Sequence, residues 1–149
     1  MSTPDPAVLR VEVRSFAELD VATAYDAWRL RQDVFVVEQD CPYPDLDGRD
    51  PEPGTRHVLL YEDETLIGYA RVLDDGREWR IGRVVLARAG RGRGLADVLM
   101  NTALPVCPGR EIVLDAQAPL AAWYATHGFV ADGPEFLEDG IPHLPMRLC

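Results

Sequence analysis

The stretch Ala87-Arg88-Ala89-Gly90-Arg91-Gly92-Arg93-Gly94-Leu95-Ala96 constrains this chain more than any other. It follows a strand-like run, Trp79 to Leu86. A helix leaves it with Leu95, Val98, Leu99 and Thr102 on one face. Glycine adopts backbone conformations that other residues avoid and lets the chain approach a ligand closely. The helix behind it offers unpaired N–H groups and the positive end of a dipole. Those are the parts of an anion site, usually one for phosphate. Arg83, Arg88, Arg91 and Arg93 crowd the same stretch and add bidentate donors. A strand–loop–helix unit of this kind belongs to a layered α/β or α+β architecture.

Two common phosphate loops are excluded. A Walker A loop ends in Lys-Ser/Thr, and this chain has no lysine: all 15 of its basic residues are arginine. The dinucleotide fingerprint needs a third glycine, and counted from Gly92 that position is Asp97. What fits is Arg91-x-x-Gly94-x-Ala96. Against the 15 arginines stand 25 acids, for a net charge of -10. That balance argues against a nucleic-acid partner and against polybasic attraction to a membrane. It suits a neutral or cationic partner better.

The 149 residues are one domain's worth, taken as 1–149. Val8 to Val13 reads as a first strand. Ser15 and Glu18 form a capping box, which predicts a helix to about Phe35 with Val21, Ala24, Tyr25, Trp28 and Phe35 near one face. Residues 39–55 form a long loop rich in Pro, Asp and Gly, either functional or packed as an Ω-loop. Arg56 to Glu62 and Thr65 to Leu73 make a hairpin about Asp63-Glu64, and Trp79 to Leu86 extends it to a meander. Glu111 to Asp115 is a strand, Ala118 to His127 a short helix closed by Gly128, and Phe129 to Cys149 a hairpin turning at Asp139-Gly140. Three cysteines without metal-like spacing, and a polar N-terminus (Met1 to Ala7) with no apolar run behind it, lead us to expect a cytoplasmic protein with no metal site, signal peptide or membrane span.

At the glycine-arginine loop the chain resembles the Gcn5-related N-acetyltransferase (GNAT) superfamily, over about residues 8 to 148. Leu30-Arg31-x-x-Val34-Phe35-Val36-Val37-Glu38-Gln39, Cys41-Pro42-Tyr43, Asp47-Gly48, Arg56-His57 and Asp139-Gly140-Ile141-Pro142-His143 together resemble its ElaA-type subfamily. The resemblance implies a central, mostly antiparallel twisted sheet of about seven strands, flanked by helices and splayed where acyl-CoA binds. It implies that Arg91, Gly92, Arg93, Gly94, Leu95 and Ala96 cradle the pyrophosphate of acetyl-CoA. Val84, Val85 and Leu86 would offer backbone groups to the pantetheine arm. Gln117 stands where the family usually has Asn, and Tyr124, ahead of Gly128-Phe129, matches the tyrosine that protonates the departing thiolate.

The chemistry can be argued beside the resemblance. An amine that attacks a thioester needs a proton acceptor, and the leaving thiolate needs a proton, which a phenol within reach can supply. Glu38 follows an apolar run that is expected to raise its carboxyl pKa, so it is the first candidate base. His57 and His143 titrate in a useful range and are candidate substrate contacts. The acids Glu38, Asp40, Asp45, Asp47, Asp50 and Glu52 face only Arg49 in sequence and suggest an amine acceptor. The expected activity is acetyl transfer from acetyl-CoA to a primary amine of a small molecule or peptide; folds of this family often pair, which makes a homodimer an option and leaves the oligomeric state open. Its rivals are an acyltransferase like the acyl-homoserine-lactone synthases and a non-catalytic acyl-CoA-binding regulatory module.

Overall fold

Runs of β-branched and aromatic residues become strands, and turn residues separate them. In the computed structural model, which describes residues 7–149, they build a mixed α/β fold around one eight-stranded sheet. The strands are β1 (Leu9–Arg14), β2 (Arg56–Glu62), β3 (Thr65–Asp74), β4 (Trp79–Leu86), β5 (Ile112–Gln117), β6 (Val130–Ala131), β7 (Phe136–Glu138) and β8 (Ile141–Leu148). Their order is β1-β2-β3-β4-β5-β8-β6, with β7 also on β8. Among the described residues, only β4 and β5 run parallel. The tail supplies three strands where a two-stranded hairpin was expected, one beyond the expected count. Apart from Ala7, the reading of the N-terminal stretch falls outside the described residues. Among those described, no helix is long and apolar enough to cross a membrane.

Turn chemistry fixes the register. Asp63 (φ 53°) turns β2 into β3, so that Glu62 opposes Thr65. Asp139 (φ 52°) and Gly140 (φ 78°) turn β7 into β8, so that Glu138 opposes Ile141. Two consecutive positive φ angles make the two-residue turn that matches strand twist. Period-2 alternation then sends β2 side chains to two cores. Val58 and Leu60 pack with Val72 and Ile81 under Leu95, Leu99 and Met100 of α2 (Leu95–Ala103). Leu59, with Tyr69 and Val85, packs under Ala27 and Leu30 of α1 (Val21–Arg31).

The first helix departs from its sequence reading. Glu18 does accept from the Ser15 N–H (2.9 Å), but the turn it caps spans only Phe16–Glu18. Leu19 is extended, and Asp20 restarts the chain by accepting from the Thr23 N–H at 2.7 Å. The predicted apolar face holds only in part: Trp28 and Phe35 pack against the core, but Val21 is 88% exposed and Tyr25 65%, whereas Ala27, Leu30 and Arg31 are buried. Helix α1 is weakly amphipathic, and the burial of Arg31 sets its rotation. After Arg31 the helix widens into π-helical turns, Gln32–Glu38. Such wide turns often mark functional sites.

Arg31 is wholly buried because the 39–55 loop brings it carboxylates. Its Nε donates to Asp45 (2.9 Å), its Nη1 to Asp50 (2.7 Å) and its Nη2 to the Asp45 carbonyl (2.7 Å). Arg71 of β3 donates to the same Asp50 (3.1 Å) and to Asp47 (2.7 Å). Partial burial pushes the Asp47 carboxyl up, but hydrogen bonds from the Arg71 guanidinium and the Arg49 N–H, with the charge of Arg83, hold it well below the usual carboxylate range. The loop is therefore packed in the Ω sense. The expectation that its acids lie open to an amine is corrected: Asp45, Asp47 and Asp50 are neutralised by arginines distant in sequence, and Glu52 by Arg49.

Removing one member of a buried ion pair leaves its partner charged and dry. Asp50→Ala should lower the unfolding free energy by about 3–5 kcal/mol in urea titrations. Glu12→Ala, which breaks the exposed Arg10–Glu12 pair, should change it by less than about 1 kcal/mol.

Candidate active site

The site begins where β4 leaves β5. The parallel pairing covers only Trp79↔Ile112 and Arg80↔Val113, and beyond it the strands diverge. A bulge in β4 marks the bend. Tyr69 opposes Val85 and Arg71 opposes Gly82, so two residues of β4 face one of β3. Arg83, in that bulge, has φ 51°, a conformation that costs a bulky residue about 1–3 kcal/mol. The acidic loop offsets this. Arg83 Nε lies 2.9 Å from Asp45, off the hydrogen-bond direction, and Nη2 donates to Asp47 (3.3 Å) and to the Asp45 carbonyl (3.2 Å). Arg83 thus serves the bulge rather than the basic patch in which its sequence position suggested it.

After β4 the chain makes one short turn and enters the glycine loop. Gly92 (φ 72°) and Gly94 (φ 73°) are both left-handed, with open space where a Cβ would sit. Gly94 caps α2. Among the described residues, no acceptor meets the N–H groups of Gly92, Arg93 and Gly94. Left-handed glycines, free N–H groups and a helix N-terminus together fit a phosphate.

The arginines here are occupied. Arg91 donates to Glu38 from Nη1 (2.7 Å) and Nη2 (3.0 Å), and Arg88 Nε donates to Glu38 at 3.1 Å. Arg93 pairs with Glu62. This corrects the reading of Glu38. Hydrogen bonds from Arg91 and then Arg88 hold its carboxyl below the usual carboxylate range, where an elevated pKa was expected. A carboxylate so held is a weak proton acceptor. Next to it, Gln39 exchanges amide hydrogen bonds with Gln117 at the end of β5 (3.5 and 3.2 Å). Residues 38 and 39 therefore reach both walls of the diverging strands.

A cavity of about 800 Å³ fills the divergence. Val84, Val85, Leu86, Arg91, Gln117, Glu38, Tyr124 and His143 all line it. The residues from Gly92 to Ala96 continue from Arg91 outside the lining. Tyr124 sits on α3 (Ala121–Thr126), which follows β5 after one turn, Ala118–Leu120. Its ring packs edge-on to Trp123 and Phe129, and burial pushes its pKa up to about 12. Asp97 of α2 accepts from Trp123 Nε1 (3.0 Å) and binds His127 Nε2 (2.8 Å), which ties α2 to α3.

The two candidate histidines part company. His57 is fully buried outside the cavity. Its Nε2 donates to the Asp50 carbonyl (3.1 Å), so its Nδ1 accepts from the Tyr69 hydroxyl (2.6 Å). It is a neutral brace for the acidic loop, which corrects its placement as a substrate contact. His143 does line the cavity, with Glu138 and Asp139 beside it in sequence. Sequence reasoning missed Cys41 as a wall residue; it is buried, and its thiol donates to the Asp139 carbonyl at 3.5 Å. Among the described residues, no cluster of His, Cys, Asp and Glu has the makings of a metal site.

Comparison with known proteins agrees with this geometry. Residues 31–149 match a family model described as an acetyltransferase (GNAT) domain. A UPF0039 protein of Mycobacterium tuberculosis is 47% identical over 134 residues, covering 87% of this chain and 86% of that one. The crystal structure of Escherichia coli ElaA superposes with a TM-score of 0.90 at 37% identity, over 95% of this chain and 99% of that one. An acyl-CoA N-acyltransferase from Pseudomonas aeruginosa gives 0.89 at 39%, over 95% and 100%.

The burial of His57 has a consequence for stability. Burial lowers its pKa when folded, so the unfolded chain binds the extra proton. The stability this group contributes is complete above its ordinary pKa and is lost as pH falls through that value. Urea titrations from about pH 7.5 to 5.5 should show declining stability. His57→Gln should flatten that slope, whereas the depressed carboxylates act only below about pH 4.

Proposed function

The chain belongs to the GNAT acetyltransferase family, in its ElaA-like branch, and from that premise we propose that it transfers the acetyl group of acetyl-CoA to a primary amine of a small molecule or peptide. The observation that carries this reading is the β4–β5 divergence lying between a left-handed glycine loop and the phenol of Tyr124. The parts suit a long ligand with an anionic middle and a reactive end.

In this reading the N–H groups of Gly92, Arg93, Gly94, Leu95 and Ala96 hold the diphosphate, and Arg91 turns to it from Glu38. Glu38 is then a resident counter-anion that the diphosphate replaces. The edge of Val84-Val85-Leu86 that faces away from β3 supplies hydrogen bonds to the pantetheine arm and polarises the acetyl carbonyl. Gln117 leaves Gln39 to contact the same arm. As the amine nitrogen bonds to the carbonyl carbon, the C–S bond breaks and charge grows on sulfur. Tyr124, at about 12, stands about 3 to 4 units above an ordinary thiol. Transfer to the fully formed thiolate is uphill by that margin, and transfer to the intact thioester sulfur by far more. Tyr124 therefore acts as a hydrogen-bond donor to the sulfur and gives up its proton as the thiolate departs. The buried thiols Cys41 and Cys107, the latter pushed up to about 11 by burial, suit the reducing cytoplasm where we place the reaction.

Thiol release from acetyl-CoA, measured across a panel of small amines and peptides, tests the proposal. Turnover with at least one amine is expected. Tyr124→Phe should lower kcat about 100-fold and leave the acetyl-CoA Kd within about twofold. Glu38→Gln should tighten CoA binding several-fold at low salt, as measured by calorimetry. Tight CoA binding with no turnover of any amine would favour the non-catalytic module.

A further inference from the structure

We propose that His143 Nε2 is the proton acceptor for the attacking amine, in the place that sequence reasoning gave to Glu38. This rests on the acyl-transfer reading above and names a further catalytic residue within it. Three elements hold the ring. Its Nδ1 lies 2.7 Å from the Ile141 carbonyl oxygen. A carbonyl only accepts, so Nδ1 carries the proton and Nε2 keeps a lone pair. Phe136 stands directly opposite on β7, its ring stacked on His143 at 5.8 Å between centroids and 26° between planes. On the other edge of β8, His143 opposes Gln117, the last residue of β5.

That register matters because β5 gives way there to the turn leading into α3. Tyr124 comes from α3 and His143 from β8, so the end of β5 brings a phenol and an imidazole to one cavity. One carries a proton to give and the other a lone pair to receive one. The side chain of His143 is 12% exposed, so most of the ring is packed against protein. Glu138 Oε2 lies 3.8 Å from Nε2. That is too long for a hydrogen bond and close enough to stabilise an imidazolium once it forms. Asp139 and Cys41 share the cavity wall, and Asp115, on β5, is paired with Arg80 at 3.4 Å.

The step balances. As the neutral amine forms its C–N bond and the C–S bond breaks, the nitrogen loses a proton to Nε2 and the sulfur gains one from Tyr124. The resulting imidazolium and phenolate return to their starting states by exchange with water.

The test is the pH dependence of thiol release by the wild type and by His143→Gln. It uses the best acceptor among putrescine, an amino-acid amide and a tripeptide, with calorimetric CoA binding as the control. Wild-type kcat should rise with pH through a single ionisation. His143→Gln should lower kcat about 100-fold, abolish that limb and leave the CoA Kd unchanged. Glu138→Gln should keep the limb and move it to lower pH. Nitrogen NMR of the free protein should find the neutral His143 ring protonated on Nδ1. A limb that persists in His143→Gln, or a neutral ring protonated on Nε2, overturns the assignment while leaving acyl transfer intact. A wild type that binds CoA and turns over no amine overturns both.

Discussion

The buried arginine–aspartate cluster is the constraint on which the rest of the structure depends. Arg31 and Arg71 are stacked under the 39–55 loop and share Asp50, while Asp45 and Asp47 reach onward to Arg83. Arg83 is the left-handed residue of the β4 bulge. The bulge in turn directs β4 away from β5. Three links thus lead from an ion cluster to an open cleft. None of the charges can be left unpaired, because a dry charge without a partner costs more than the pair returns. That makes the loop conformation nearly all-or-none, and with it the strain at Arg83.

The chain's charge divides accordingly. The sum of -10 first reads as an acidic surface with a basic phosphate loop. In the folded protein Asp45, Asp47, Asp50 and Glu52 of the long loop are spent on Arg31, Arg71, Arg83 and Arg49, and the basic loop is itself occupied by Glu38 and Glu62. What stays open is narrower: the backbone N–H groups at Gly92 to Gly94, and the carboxylates of Glu138 and Asp139 in the last hairpin. In the acyl-CoA reading proposed above, an anion would bind this loop by exchange with those carboxylates, which would favour ligands with more than one negative charge.

Much of the architecture was legible in the sequence, and the reason is locality. Strands β2, β3 and β4, the Asp63-Glu64 and Asp139-Gly140 turns and the glycine loop each declare themselves within about ten residues. The misreadings all involve partners far away along the chain. Glu38 looked like a carboxylate in apolar surroundings because Arg88 and Arg91 lie some fifty residues on. The loop acids looked free because Arg71 and Arg83 come from strands formed later in the chain. His57 looked available because nothing local shows that Tyr69 and the Asp50 carbonyl take both its nitrogens. The rotation of α1 was misjudged for the same reason: one of its two fully buried residues is an arginine, which no hydrophobic pattern flags. The Ile141 carbonyl that fixes the His143 tautomer is only two residues away, but its direction depends on the turn geometry.

The central claim is that the β4–β5 divergence, with the glycine loop at one end and Tyr124 lining it, is an acyl-CoA site. A crystal structure of the protein with acetyl-CoA tests it most directly. The account predicts the diphosphate on the N–H groups from Gly92 to Ala96, Glu38 released from Arg91, and the thioester sulfur within hydrogen-bonding distance of the Tyr124 hydroxyl. A ligand bound elsewhere, with the Glu38–Arg91 and Gln39–Gln117 contacts unchanged across the cleft, would contradict it.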